Sequence, residues 1–230
     1  MQNFDMSPLF ISLKTAFIAT IITFFLGIIT AGVMNQYKGK LNAIIDGILT
    51  LPLVLPPTVV GFLLLLIFGK YGPIGKILDY FGTSIIFSWY AAVIASVVVS
   101  FPLMYKTSRG AFEQIDQNIL NAARTLQASE VRIFFKIMLP LAWPGIAAAT
   151  ILTFARALGE FGATMMVAGN IPGKTQTIPL AIFFAAEGGD MNKALIWVIL
   201  IITISLIVMF LMNMYNAKSN AFLLYKKTRQ

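Results

Sequence analysis

Five stretches of this chain are continuously apolar for about the length of a helix that crosses a lipid bilayer, and nothing else in the sequence restricts the fold as strongly. They run from about Leu9 to Met34, Ala43 to Phe68, Ile85 to Tyr105, Ile137 to Leu158 and Ala194 to Tyr215. A hydrocarbon core takes roughly 20 apolar residues per helical crossing. Only helices and closed barrels satisfy their own backbone hydrogen bonds in lipid. Barrel strands alternate apolar and polar residues, which these unbroken runs do not. At 58% hydrophobic and 11% charged over 230 residues, the chain is far more apolar than a soluble domain. The reading is therefore all-α, one membrane domain over residues 1–230, with no length left for a separate soluble domain.

Several function classes drop out at once. Histidine and cysteine are both absent, which removes disulfides, thiolate or imidazole metal sites and histidine-based nucleophile triads. The net charge of +8 does not point to nucleic acid, because the basic residues sit mostly between the apolar runs. Loops 35–42 and 106–136 and the tail after 215 carry Lys38, Lys40, Lys106, Arg109, Arg124, Arg132, Lys136, Lys218, Lys226, Lys227 and Arg229. The alternate loops, 69–84 and 159–193, carry Lys70, Lys76, Lys174 and Lys193. The positive-inside rule then puts the N-terminus outside and the C-terminus in the cytoplasm. Met1 to Pro8 lacks a basic n-region, and the following apolar run is long enough to span, so no cleavable signal peptide is expected.

Two segments depart from a plain series of spans. In 161–190, apolar patches at Met165–Ala168 and Ile178–Ala186 flank a polar stretch from Gly169 to Thr177. Neither patch spans alone, and a full crossing here would carry the basic tail outside. A re-entrant or half-helix hairpin on the external side is favoured, with a sixth crossing as the alternative. In 106–136, Asp116 can cap a helix whose apolar Ile119, Ala123 and Leu126 share one face, and Ser129 can cap the next helix. Pro140 and Pro144 follow early in the fourth span, where they bend a helix or open its first turns. Pro52, Pro56 and Pro57 interrupt the second span, as is tolerated where backbone lines a cavity or packs on protein. Gly27 with Ala31, and Ala91 with Ala95, suit close helix packing.

The residues from Asn121 onward carry a resemblance. Asn121-Ala122-Ala123, three residues, Gln127, nine residues, then Ile137, Leu139 and Pro140 resembles the EAA signature of ABC importer permeases, Glu-Ala-Ala-x3-Gly-x9-Ile-x-Leu-Pro. Asn121 stands in place of the Glu and Gln127 in place of the Gly; both alanines and all spacings are kept. The resemblance implies a type I ABC importer permease fold of five to six membrane helices plus a cytoplasmic coupling helix that docks on an ATPase. Asn121, Ala122, Ala123, Arg124, Gln127, Leu139 and Pro140 would form the ATPase-coupling site, with Arg124 and Arg132 pairing carboxylates on the ATPase. For the Ala-Ala pair alone, an ordinary interfacial helix is the commoner reading; the full spacing favours coupling.

Ala155 to Thr164, Ala168 to Ile182 and Leu51 to Gly61 look like the corresponding stretches of molybdate permeases, with sulfate permeases as close relatives and tungstate as an equivalent oxyanion. The family implies a homodimer in the cytoplasmic (inner) membrane, two cytoplasmic ATP-binding subunits and an external molybdate-binding protein, with no nucleic acid. No cofactor would be bound by this chain, since ATP and Mg belong to the ATPase, and the chain would not be an enzyme. Arg156 and Glu160, four apart on one helix face, read either as a pathway or gate element or as a pair that neutralises itself near the interface. Thr58, Thr164, Asn170, Thr175 and Thr177 are candidate oxyanion contacts; a membrane threonine is more often bonded to its own backbone. A secondary carrier would show inverted repeats and several intramembrane ionisable groups, and an intramembrane enzyme a buried constellation; neither pattern is present.

Overall fold

The computed structural model describes residues 5–37 and 39–227. Among them there are helices and no strands: α1 (Ser7–Gln36), α2 (Asn42–Val54), α3 (Pro57–Phe68), α4 (Pro73–Tyr80), α5 (Trp89–Glu113), α6 (Gln117–Thr125), α7 (Glu130–Ile133), α8 (Leu139–Leu158), α9 (Gly162–Ala168), α10 (Ile178–Glu187) and α11 (Met191–Lys227). Four described helical segments are long and apolar enough to cross a membrane: Ser7–Gln36, Trp89–Glu113, Glu130–Leu158 and Met191–Phe210. The bent pair α2 and α3 passes the same length and composition test when its two halves are taken together. Lys38 and Arg229, counted above for topology, lie outside the described residues, as do the side chains of Lys218, Lys226 and Lys227.

The core is the packing of α1, α5 and α8. Close approach is possible because the facing residues are small. Ala31 of α1 and Ala149 of α8 are buried in one cluster and Ala16 and Ala19 of α1 pack with Ala157 of α8 in another, while Ala91, Ala92 and Ala95 of α5 are buried with residues of α3 and α9. A Cβ on Gly27 would lie 2.7 Å from Met104 Cγ. Without an apolar-solvent driving force between helices in lipid, such contact surfaces are what hold a bundle together. At one end of α1, Trp89 Nε1 donates to Thr15 Oγ1 at 2.9 Å and the Ile178 amide donates to Ser12 Oγ at 2.7 Å. At the other end Met34 joins the apolar cluster of Phe112, Leu120, Ala123, Ile133 and Met138. The α9–α10 region and the α6–α7 region therefore lie at opposite ends of a helix about 45 Å long.

The second span is not straight. α2 and α3 meet at 113° across Leu55 and Pro56. Pro56 and Pro57 have no N–H, so two donors that a helix start would leave unpaired are missing from the chain here. Pro57 takes the first helical position, and the Val59 and Val60 amides donate to Pro56 O at 2.9 and 3.2 Å. α3 then rests on α9.

The third span continues two turns past Tyr105, because Lys106 and Arg109 are paired where they leave the apolar region, with Asp46 and Glu113. Before α8, Phe134–Met138 forms a π-helical turn, and Pro140 falls at the second position of α8. A widened turn accommodates the missing proline N–H without breaking the helix, so the prolines leave the fourth span continuous from Glu130. Residues 161–190 form the two short helices α9 and α10, as expected of a half-helix hairpin, and no sixth crossing.

The α3–α9 contact sets a test. A Cβ on Gly61 would sit 2.9 Å from Ala163 Cα and 2.7 Å from Met166 Cβ, whereas a Cβ on Gly47 would meet nothing within 4 Å. Gly61→Ala should lower stability by about 1–3 kcal/mol through overpacking, while Gly47→Ala should leave it unchanged or raise it by up to about 1 kcal/mol. Thermal unfolding of the purified protein in detergent distinguishes the two.

Candidate functional site

The region after α5 is built to hold a short helix still. Asp116 Oδ1 accepts from the Asn118 amide at 2.8 Å and caps α6; Ser129 Oγ accepts from the Arg132 amide at 3.3 Å and caps α7. Both caps are at the positions the sequence indicated. The buried face differs from the expected one. Leu120 and Ala123 are buried, at 2% and 9% exposure, and pack on Phe112, Ile133 and Met138. Of the expected set Ala123 is buried, whereas Ile119 is exposed and Leu126 is 83% exposed, so the buried stripe is Leu120 with Ala123. The helix ends at Thr125, before the expected stripe completes its second turn.

That end is a Schellman motif. The Ala128 amide donates to Ala123 O at 3.1 Å and the Gln127 amide to Arg124 O at 2.9 Å. Gln127 occupies the left-handed position at φ 58°, where an L-residue with a Cβ is disfavoured. This is the position at which the signature has Gly, and the geometry explains why a glycine belongs there.

α6 thus presents Gln117, Asn118, Ile119, Asn121, Ala122 and Thr125 outward, a mostly polar face that continues into the exposed Leu126 after the helix. Arg124 lies along the surface, exposed and paired. Its Nε and Nη2 donate to the two Glu130 oxygens at 2.7 and 3.2 Å, and its Nη1 donates to Asn121 Oδ1 at 3.0 Å. The Glu130 carboxylate raises the Arg124 guanidinium above its usual value. Arg124 is therefore engaged within the chain; Arg132 makes no ion pair among the described residues. Leu139 packs half-buried against the core cluster, and Pro140 is exposed.

At the opposite end, Arg156 and Glu160 share the end of α8. Arg156 Nη1 donates to Glu160 Oε2 at 2.9 Å, and the Ala163 amide donates to Glu160 Oε1 at 2.8 Å. Glu160 is 2% exposed, while Arg156 keeps a third of its side chain open. One carboxylate thus joins the end of α8 to the start of α9, a cost in lipid that pairing on both oxygens offsets. A Cβ on Gly162 would lie 3.1 Å from Pro57 Cβ and 3.2 Å from the Thr58 amide, so this junction sits against the break between α2 and α3.

The hydroxyl candidates separate. Thr58 is exposed at the start of α3. Thr164 and Thr177 are buried with no hydrogen-bond partner on their hydroxyls. Thr175 Oγ1 donates to Gly169 O and accepts from the Ile171 amide, each at 3.0 Å, and so closes the loop on itself. Asn170 Oδ1 accepts from Gln176 Nε2 at 2.8 Å. A cluster the sequence left unremarked is Asp46 with Tyr105, Lys106 and Arg109. Lys106 and Arg109 counted only toward loop charge, and Asp46 had no motif around it.

The caps of α6 set the next test. Asp116→Ala should loosen α6 by about 1 kcal/mol, and Gln127→Gly should tighten it by up to about 1 kcal/mol through relief of the left-handed strain. Amide hydrogen exchange over 117–126 should fall in protection for the first and rise for the second.

Residues 23–220 match the family described as the binding-protein-dependent transport system inner membrane component. The chain is 45% identical over 205 residues to the putative molybdenum transport system permease protein YvgM of Bacillus subtilis (strain 168), covering 89% of this chain and 90% of that one. It is 45% identical over 192 residues to the molybdenum transport system permease protein ModB of Escherichia coli (strain K12), covering 82% and 84%. In fold it is similar to a crystal structure of a bacterial ABC transporter that imports the acidic polysaccharide alginate, at a TM-score of 0.76 and 14% identity, over 95% of this chain and 80% of that one. The chain belongs to the binding-protein-dependent transport system inner membrane component family, the membrane-spanning subunits of ABC importers.

Proposed function

We propose that this chain is the permease subunit of a molybdate importer, and that two copies enclose the path while each offers α6 to one cytoplasmic ATPase subunit. The observation that carries the coupling role is α6 itself: capped at both ends, anchored by Leu120 and Ala123, and exposing Ala122, Thr125 and Leu126. An anchored helix with a mostly polar outer face, carrying Ile119, Ala122 and the following Leu126 as apolar points, suits docking into a groove of a partner. Asn121, Arg124 and Gln127 form part of this exposed surface, and Leu139 and Pro140 seat the following span. The molybdenum transport relatives support the choice of anion.

The orientation follows the charge bias. The end carrying α6 and the basic loops faces the cytoplasm, and α9, α10 and the N-terminus face outward toward an external molybdate-binding protein. ATP binding closes the ATPase pair, the coupling helices approach one another, and the path turns from inward-facing to outward-facing. Hydrolysis then resets it, with ATP and Mg held by the partner.

In the path, the open part of Arg156 attracts a doubly charged oxyanion while Glu160 limits how tightly it is held. Thr58, and the unpartnered hydroxyls of Thr164 and Thr177, offer weak neutral contacts. Weak contact suits conduction, since an ion held tightly would not leave. Asn170 and Thr175 act by keeping the 169–176 loop closed behind them.

Proteoliposomes containing this chain, its ATPase and its binding protein test the reading. ATP-dependent uptake of radiolabelled molybdate should be blocked by tungstate and unaffected by equal sulfate. Strong sulfate competition would assign the chain to sulfate, and uptake without ATP would overturn the importer reading.

A further inference from the structure

α2 fully buries none of its side chains. Half-buried Ile45 and Leu49 rest on the core, Asn42 donates to Tyr37 O and accepts from Arg109 Nη2 at 3.5 Å, and the closest polar contacts gather on one carboxylate. Asp46 Oδ1 accepts from Tyr105 Oη at 2.6 Å and Arg109 Nη1 at 2.7 Å, and Asp46 Oδ2 accepts from Lys106 Nζ at 2.6 Å. Arg109 Nη1 also donates to Tyr105 Oη at 2.9 Å, and its Nε donates to Glu113 at 2.8 Å. Tyr105 is fully buried, and Asp46 and Arg109 are mostly buried.

The position of this cluster gives it a use. Downstream, α5 ends at Glu113, and three residues separate it from α6. Upstream, α2 ends at Val54, where the chain turns by 113° into α3, and α3 is locked to α9 through Gly61 and Gly162. Separating Asp46 from α5 would leave its carboxylate without a partner at the edge of an apolar region, with Arg109 still held by Glu113, and an unpaired carboxylate there is disfavoured. The two prolines carry no N–H to bond across the bend, so its angle is set by side-chain packing, including that of Val60 and Leu64 on α5.

We propose that Asp46 is a positioning residue that makes α2 move as one body with α5 and α6, so that displacement of α6 is delivered to the break at Leu55–Pro56 beside the Arg156–Glu160 junction. It touches no transported ion. The proposal rests on the importer reading above. Its physical basis is a single element, the α2–α3 bend, biased from the coupling end.

The chain contains no cysteine, so spin labels on introduced cysteines report only the chosen sites. Chains doubly substituted Gly47→Cys and Gln114→Cys, or Gly47→Cys and Phe62→Cys, all at exposed positions, are diluted with unlabelled chains in the assembled transporter. Their distances are compared without nucleotide and with ATP bound. The 47–114 distance should stay fixed while the 47–62 distance changes. A 47–114 change as large as the 47–62 change, or no change in either, would overturn the proposal.

In Asp46→Asn, which keeps the shape and removes the charge, molybdate imported per ATP hydrolysed should fall about tenfold while ATP hydrolysis persists. Unchanged uptake per ATP, or a parallel loss of both activities, would also overturn it. Failure of the importer reading is separable: the unsubstituted protein would then show no ATP-dependent uptake at all.

Discussion

In hydrocarbon every backbone N–H and C=O must find a partner inside the protein, and the architecture is largely a response to that demand. Two interruptions of helix occur at membrane depth, at Leu55–Pro56 and at Gly159–Phe161, and they are packed against each other. Pro56 and Pro57 supply no N–H, and Pro56 O takes the Val59 and Val60 amides. At the other break Glu160 takes the Ala163 amide. The absence of a side chain on Gly162 lets the two breaks approach. An irregular backbone in lipid is thus covered by another irregular backbone, and a place of this kind can change angle without exposing new polar groups.

The same demand governs charge. Asp46 and Glu160, the two acidic side chains well inside the bundle among the described residues, are both bound on two oxygens, to cations and to an O–H or N–H donor. The Asp46 cluster ties α2 to the helix that leads into α6, and Glu160 ties α8 to α9 beside the proline break. The proposed coupling runs from the first of these to the second.

Much of this was legible in the sequence because bilayer length is a strict ruler: the five runs are the four long spans and the bent pair. The caps at Asp116 and Ser129, the Arg156–Glu160 pair and the hairpin of short helices over 161–190 are local or i,i+4 features, which spacing alone can reveal. The rest depended on tertiary partners. Ala123 was placed correctly, but Leu120 replaces Ile119 on the buried face because Phe112 and Met138, from outside α6, select it, and Leu126 falls outside it because α6 stops at Thr125. The extension of α5 to Glu113 was hidden because Lys106 and Arg109 look like loop charges until Asp46, about sixty residues earlier, is seen beside them. Thr175 looked like a ligand contact and closes its own loop, as membrane threonines commonly do.

The central claim is that the outer face of α6 is where an ATPase subunit docks. Since the chain has no cysteine, Thr125→Cys on α6 and Val59→Cys on α3, both exposed, can each carry a short photo-crosslinker in the assembled transporter. The account predicts that Thr125→Cys crosslinks to the ATPase subunit and Val59→Cys does not. A complex that assembles and hydrolyses ATP, with no ATPase crosslink from Thr125→Cys, would contradict it.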